Sequence, residues 1–266
     1  MSKSKWLIVL FVGILYYTKG QTPLIQEIEY TSMEEALKEP EKVKRLNLSQ
    51  QNFESVPVGI EKLKNLRYLS LRNDHLKLIP EEIFSLKNLE FLDLGGNDFT
   101  FLPQSFSKLE KLEELFLDNE PNLVLDENSQ IGIEKLKNLR YLSLRNDHLK
   151  LIPEEIFSLK NLEVLDLGGN DFKFLPQNFS KLEKLEELFL DNEPNLFLDE
   201  NLKTIAKLPR LKTLHLENDK IGMIPESLRL LKSLENLYLS NNQLQYVPKE
   251  VKNLKNLKYL DAEFKF

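Results

Sequence analysis

Apolar residues recur on a 23-residue period from Val43 to the end of the chain. Within a unit they fall at relative positions 1, 4, 6, 11, 14, 18 and 21, as in Leu66, Leu69, Leu71, Leu76, Ile79, Ile83 and Leu86. Units begin at Val43, Leu66, Leu89, Leu112, Leu139, Leu162, Leu185, Leu211, Leu234 and Leu257, and those from Leu112 and Leu185 lengthen to 27 and 26 residues. Positions 3 to 7 alternate with period two, the pattern of a strand with one buried face. No single unit covers its own leucines, so units must stack, and stacking in register gives a parallel sheet over a continuous interior. Pro at position 15 (Pro57, Pro80, Pro103, Pro153, Pro176, Pro225, Pro248) suits the first turn of a short helical return segment.

The stretch LENLYLSNNQLQYVP (Leu234 to Pro248) fits the pattern LxxLxLxxNxL, and residues 43–266 resemble the leucine-rich repeat family. The resemblance implies an α/β solenoid, a horseshoe of about ten repeats with a concave parallel β-sheet and short convex helices or turns. Ahead of it, YTSMEEALKEPEKV (Tyr30 to Val43) reads as a short amphipathic helix stopped at Pro40. With the RLNLSQQNFESVP that follows, it resembles the opening segment of secreted bacterial members, so residues 21–42 are taken as a capping segment. The long units share LFLDNEPNL and lack the proline return. LDENLKTIAKL (Leu198 to Leu208) predicts a true convex helix with Asp199 as N-cap, and a weaker counterpart is expected after Asp126. At position 9 the family's Asn alternates with other residues: Gln51, Asp74, Asn97, Asp147, Asn170, Asp219 and Asn242. An ionised Asp only accepts hydrogen bonds, so an interrupted ladder is expected, with Asn73, Asn146 and Asn218 as candidate substitutes.

The first twenty residues stand apart. Lys3 and Lys5 precede an apolar run from Trp6 to Tyr17, and Thr18-Lys19-Gly20 offers small residues for cleavage before Gln21. That is the layout of a signal peptide, and the run is too short for a membrane span. The reading is a secreted, cell-surface or periplasmic protein without stable membrane insertion after cleavage, with an uncleaved anchor as the alternative. Removing the segment takes three lysines and no acid, moving the formal charge from −6 to −9. An acidic balance argues against nucleic acid, whose recognition needs a basic footprint. There is no cysteine, which excludes a lipid-modified cysteine terminus, thiol catalysis and cysteine-bound zinc.

Catalytic chemistry finds no converging set. His75 and His148 sit three strands apart, and His215 lies at position 5 of the concave face without a recognisable nucleophile; all three read as surface histidines. LGGN (Leu94 to Asn97, Leu167 to Asn170) lacks the P-loop lysine and reads as a shallow notch or as tolerated small residues. Asp93, Asp118, Asp166, Asp191 and Glu217 lie on different strands and read as a solvated acidic face rather than a calcium loop. No metal or cofactor is expected, and no enzymatic activity.

The remaining signal is aromatic. Tyr68, Phe91, Phe116, Tyr141, Phe189, Tyr238 and Tyr259 occupy concave positions 3 and 5, with Arg72, Asp118, Arg145 and Asp191 beside them at position 7. Exposed aromatics with flanking charges mark binding surfaces; the alternative is that they stack across strands and only stabilise the sheet. The expectation is a non-enzymatic module recognising a protein or glycan through Tyr68, Arg72, Phe91, Asp93, Phe116, Asp118, Tyr141, Arg145, Asp166, Phe189, Asp191, His215 and Tyr238. The alternative is a structural or adhesion protein, or self-association through an uncapped C-terminal strand, whose open edge either Phe264 and Phe266 fold over or a partner covers. Residues 59–128 and 132–201 are copies over 70 positions with four differences, and only Phe91/Val164 falls on the concave face.

Overall fold

A computed structural model describes residues 27–125, 131–246 and 249–263. The signal segment, residues 126–130, Pro248, Phe264 and Phe266 lie outside these residues, and the described end of the counterpart helix expected after Asp126 is a 3-10 turn, Ile133–Lys135, entered through Gly132 at φ +70°, rather than an α-helix. Among the described residues, eleven parallel strands form one open sheet in strictly sequential order. They are β1 (Glu29–Tyr30), β2 (Arg45–Asn47), β3 (Tyr68–Ser70), β4 (Phe91–Asp93), β5 (Glu114–Phe116), β6 (Tyr141–Ser143), β7 (Val164–Asp166), β8 (Glu187–Phe189), β9 (Thr213–His215), β10 (Asn236–Tyr238) and β11 (Tyr259–Asp261). From β2 onward each unit contributes one strand, and position 4 pairs with position 4 throughout: Leu46, Leu69, Leu92, Leu115 and onward. Register is pinned because a one-residue slip would turn these fully buried leucines to solvent.

Positions 4, 6, 11, 14, 18 and 21 merge into one core running along the molecule, with Phe84, Phe106, Phe157 and Phe179 beneath the convex side. The returns are mostly 3-10 turns. Pro103, Pro153, Pro176 and Pro225 stand just before the first helical residue rather than inside it, and their carbonyls accept the first turn's bonds, as in Phe106 N–H to Pro103 O at 3.3 Å. The expected convex helix is present as α2 (Leu198–Ile205), preceded by the short α1 (Met33–Ala36) near the N-terminal end. Asp199 is not the cap of α2: Phe197 holds that place, and Asp199 pairs with Lys203 one turn on.

Position 9 corrects the expectation of an interrupted ladder. Each unit's backbone N–H at position 9 donates to the next unit's position-9 side chain without a break from Gln51 to Asn242: Gln51 to Asp74 at 2.7 Å, Asp74 to Asn97 at 3.1 Å, Asn97 to Glu120 at 2.6 Å and Glu120 to Asp147 at 2.8 Å. Asp147 continues to Asn170 at 3.1 Å, Asn170 to Glu193, Glu193 to Asp219 at 2.6 Å and Asp219 to Asn242 at 3.0 Å. Accepting is all this chain of bonds requires, so Asp serves; Glu120 and Glu193 are the position-9 residues of the long units. Asn73, Asn146 and Asn218 do not substitute. Position 8 adopts the left-handed conformation in unit after unit, φ +57° at Asn73 and Asn146 and +60° at Asn218, which Asn tolerates better than most residues.

The Asn residues do more than the Asp residues. Asn97 Nδ2 donates to Leu71 O at 2.9 Å and Leu94 O at 2.6 Å, whereas Oδ2 of Asp74, Asp147 and Asp219 is buried without a partner. Burial accordingly pushes the acids up: Glu120, Asp147 and Glu193 to about 8 and Asp219 to about 7, with Asp74 also raised. A carboxyl group whose folded pKa lies above its unfolded value near 4 binds more protons in the native state, so stability falls as pH rises between the two values. The thermal midpoint is therefore expected to fall from pH 5 to pH 8. Asp147→Asn is expected to raise it more at pH 8 than at pH 5, as read by circular dichroism melts.

Candidate functional site

Side chains at positions 3, 5 and 7 leave the strands on the concave face, and the parallel register lines them up across neighbouring units. They do not stand free. The Arg45 guanidinium lies 3.9 Å from the centre of the Tyr68 ring. Tyr68 stacks on Phe91 (4.3 Å between centroids, 10° between planes), Phe91 tilts onto Phe116 (5.2 Å) and Phe116 stacks on Tyr141 (4.7 Å). A second stack joins Phe189 to His215 (3.9 Å), His215 to Tyr238 (4.3 Å) and Tyr238 to Tyr259 (5.3 Å). The expectation of exposed aromatics is thus corrected for Tyr68, Phe91 and Phe116, whereas Tyr141, Phe189 and Tyr238 are part-buried and Tyr259 is exposed. Tyr68, Phe91 and Phe116 keep only 6 to 8% of their surface, because rings about 4.8 Å apart on adjacent strands cover one another. Val164 replaces Phe91 in the second copy and leaves a gap between the two stacks.

The charges are organised as firmly. Arg72 pairs with Asp93 at 3.1 Å and makes a two-pronged contact to Asp118; Arg145 pairs with Asp166 at 2.8 Å and grips Asp191 at 2.8 and 2.6 Å. Each arginine reaches two strands along by lying over the glycine of the intervening unit. A methyl group on Gly95 would meet Arg72 Nη1 at 2.6 Å, and one on Gly168 would meet Arg145 Nη2 at 2.6 Å. The notch expected at LGGN is therefore a filled cradle, and the acids expected to be solvated are clasped. Burial alone would lower both arginine pKa values, but the carboxylates outweigh it and hold them raised. Burial raises Asp93 and Asp166, with the arginines opposing.

His215 makes a third clasp and is no surface residue. Its Nε2 lies 3.0 Å from Glu187 and its Nδ1 3.4 Å from Glu217. Burial would lower its pKa, yet the two carboxylates push it up to about 9, so it is charged at neutral pH. His75 and His148 stay outside this face, both with positive φ, and His75 lies 3.6 Å from Asp98. Two features escaped the sequence reading. Glu114 at position 3 is part-buried, its side chain makes no hydrogen bond or ion pair among the described residues, and burial pushes its pKa up to about 7. Position 13 carries a large apolar side chain in eight successive units, Leu78, Phe101, Val124, Leu151, Phe174, Phe197, Met223 and Tyr246, all at least half exposed. Counting position 13 across units would have found this rail.

The arginine cradles give a direct check. Gly95→Ala, whose methyl would meet the Asp118 carbonyl oxygen at 2.9 Å as well as Arg72, is expected to lower unfolding free energy by about 1–3 kcal/mol, the cost of overpacking a filled site. Gly222→Ala, where nothing lies within 4 Å, is expected to leave it within about 0.5 kcal/mol. Urea titrations distinguish the two, and equal midpoints would contradict the cradle.

Comparisons place this architecture. The family described as a leucine-rich repeat region matches residues 31–127 and 123–198, and a further leucine rich repeat family matches residues 198–264. No curated protein sequence matches the chain. Among solved structures it is similar to internalin C2 of Listeria monocytogenes (28% identity, TM-score 0.61, covering 77% of this chain and 84% of that one). It is also similar to the plant peptide hormone receptor RGFR1, solved in complex with RGF2 (30%, 0.54, 76% and 33%). A third is the Arabidopsis thaliana receptor kinase ectodomain GASSHO1/SCHENGEN3 (26%, 0.55, 78% and 28%). The chain thus spans about a third of each plant receptor chain. Folds of this kind commonly mediate protein binding. With matches running from residue 31 to residue 264 and ten units stacked in one sheet, the chain belongs to the leucine-rich repeat family.

Proposed function

We propose that the chain is a secreted or surface-exposed, non-enzymatic module that binds a protein ligand through its concave face. The observation that carries this reading is the pair of arginine clasps. Half-buried ion pairs contribute little net stability over apolar residues of similar volume, because desolvation offsets their attraction. A sheet that needed only cohesion would not require them. They instead hold charged and aromatic groups in fixed positions, which lowers the ordering cost when a partner docks. The complexes of similar receptors with RGF2 and with CASPARIAN STRIP INTEGRITY FACTOR 2 support a peptide or protein ligand. A glycan is less favoured, since the aromatic faces are already occupied by one another. The signal-like first twenty residues support export, and no helix among the described residues is long and apolar enough to cross a membrane.

Val164 sits part-buried at the middle of the face, in the gap between the stacks. Val164→Arg is expected to leave the thermal midpoint within a few degrees and to weaken capture of the natural ligand more than tenfold, measured by affinity retention from native surroundings. Lys203→Glu on the convex helix loses the exposed pair with Asp199 but is expected to leave capture unchanged. Equal retention by both variants would sink the concave-face reading.

A second reading, self-association, is favoured by the rail at position 13, where Phe174 and Phe197 already stack at 4.7 Å. It requires a light-scattering mass that doubles with concentration and reverts in Phe174→Asp; a constant monomer mass removes it.

A further inference from the structure

The copied halves of the sheet hold the same carboxylate in two different states. Glu114 and Glu187 occupy position 3 of the duplicated long units, and each is followed two residues later by a phenylalanine, Phe116 or Phe189. On the next strand their surroundings part. Beyond β8 stands His215, which covers the face of Phe189 and bonds Glu187 at 3.0 Å. Beyond β5 the matching position is Ser143, too short to reach, and Glu114 is left without a bonding partner. One copy of the carboxylate site is closed by a cation from the chain itself, and the other is open.

We infer that Glu114 is the anchor for a cationic side chain of the ligand, a lysine or arginine of an extended peptide, which takes at β5 the place that His215 takes at β8. The inference rests on the concave-face reading above. Charge on the face favours it. Four cations, Arg45, Arg72, Arg145 and His215, serve seven carboxylates, Glu29, Asp93, Asp118, Asp166, Asp191, Glu187 and Glu217, so the face is short of positive charge before Glu114 is counted. Phe91 and Tyr141 stand in register on either side of Glu114. With their faces stacked, the rings still offer apolar edges for the methylenes of a basic side chain.

The same surroundings make binding depend on pH. Burial is the main reason that Glu114 titrates near 7; neighbouring Glu113 adds to it, and Arg140, already paired with Glu163 at 2.7 Å, opposes it. Tyr141 is pushed far up by burial and stays neutral in this range. The ionised fraction of Glu114 therefore rises about tenfold from pH 6 to pH 8, and affinity for a cation rises with it.

The probe is a phage-displayed library of random twelve-residue peptides selected on the chain at pH 8. Peptides that compete with one another and are lost on Val164→Arg define binders of the concave face. They are expected to carry Lys or Arg, to bind about tenfold tighter at pH 8 than at pH 6, and to lose that slope and at least tenfold in affinity on Glu114→Gln. Glutamine has the same shape and removes a part-buried charge, so an unchanged or raised thermal midpoint is expected for this variant. Concave-face binders without basic residues, or basic binders indifferent to Glu114→Gln, overturn this inference alone. An empty selection, or binders untouched by Val164→Arg, overturns the concave-face reading with it.

Discussion

Each repeat depends on its neighbour to cover its leucines, and everything else about this molecule follows from that dependence. Leu69 and Leu71 have no core until the units on either side arrive, and so on along the stack. Coverage requires strict register, and strict register turns the outward positions into columns with about 4.8 Å between successive residues. Rings at that separation stack, and an arginine is long enough to span two strands. The chemistry of the concave face is thus a by-product of how the core is buried. The position-9 ladder completes the arrangement by tying each unit's backbone to the next unit's side chain, using five carboxylic residues where the family pattern has amides.

The duplication shows how far local context decides chemistry. Arg72 with Asp93 and Asp118, and Arg145 with Asp166 and Asp191, are built alike because every residue of the clasp, including the glycine beneath the arginine, lies within the copied segment. The aromatic stacks differ because their continuity depends on one substituted position and on what comes next. Phe91 bridges Tyr68 to Phe116, but Val164 makes no such bridge, and Phe189 turns to His215 instead. The opposed states of Glu114 and Glu187 have the same origin, since the strand after each copy is different.

The stack, its register and its sheet order were legible in the sequence because seven apolar positions repeat ten times. The direction of the concave side chains was legible too, from period-two alternation. Their burial was not: Tyr68, Phe91 and Phe116 are covered sideways by residues 23 to 25 positions away, which alternation along one strand does not reveal. Nor was the clasp, because Arg72 and Asp118 are 46 residues apart and meet only across Gly95. The N-cap of α2 was misplaced by two residues because Asp199 reads as a capping side chain when its ion pair with Lys203 is unseen. Glu120 and Glu193 were overlooked as ladder members because the lengthened units hid their shared position.

What unites these observations is a concave face whose arginines and histidine are already paired with the chain's own carboxylates, while the Glu114 side chain has no bonding partner among the described residues. The most direct test is a crystal structure of the chain with a peptide selected on it. The account places a lysine or arginine of that peptide within hydrogen-bond distance of the Glu114 carboxylate, with both arginine clasps unchanged. A peptide seated on the position-13 rail or the convex side, with Glu114 still unpaired, would contradict it.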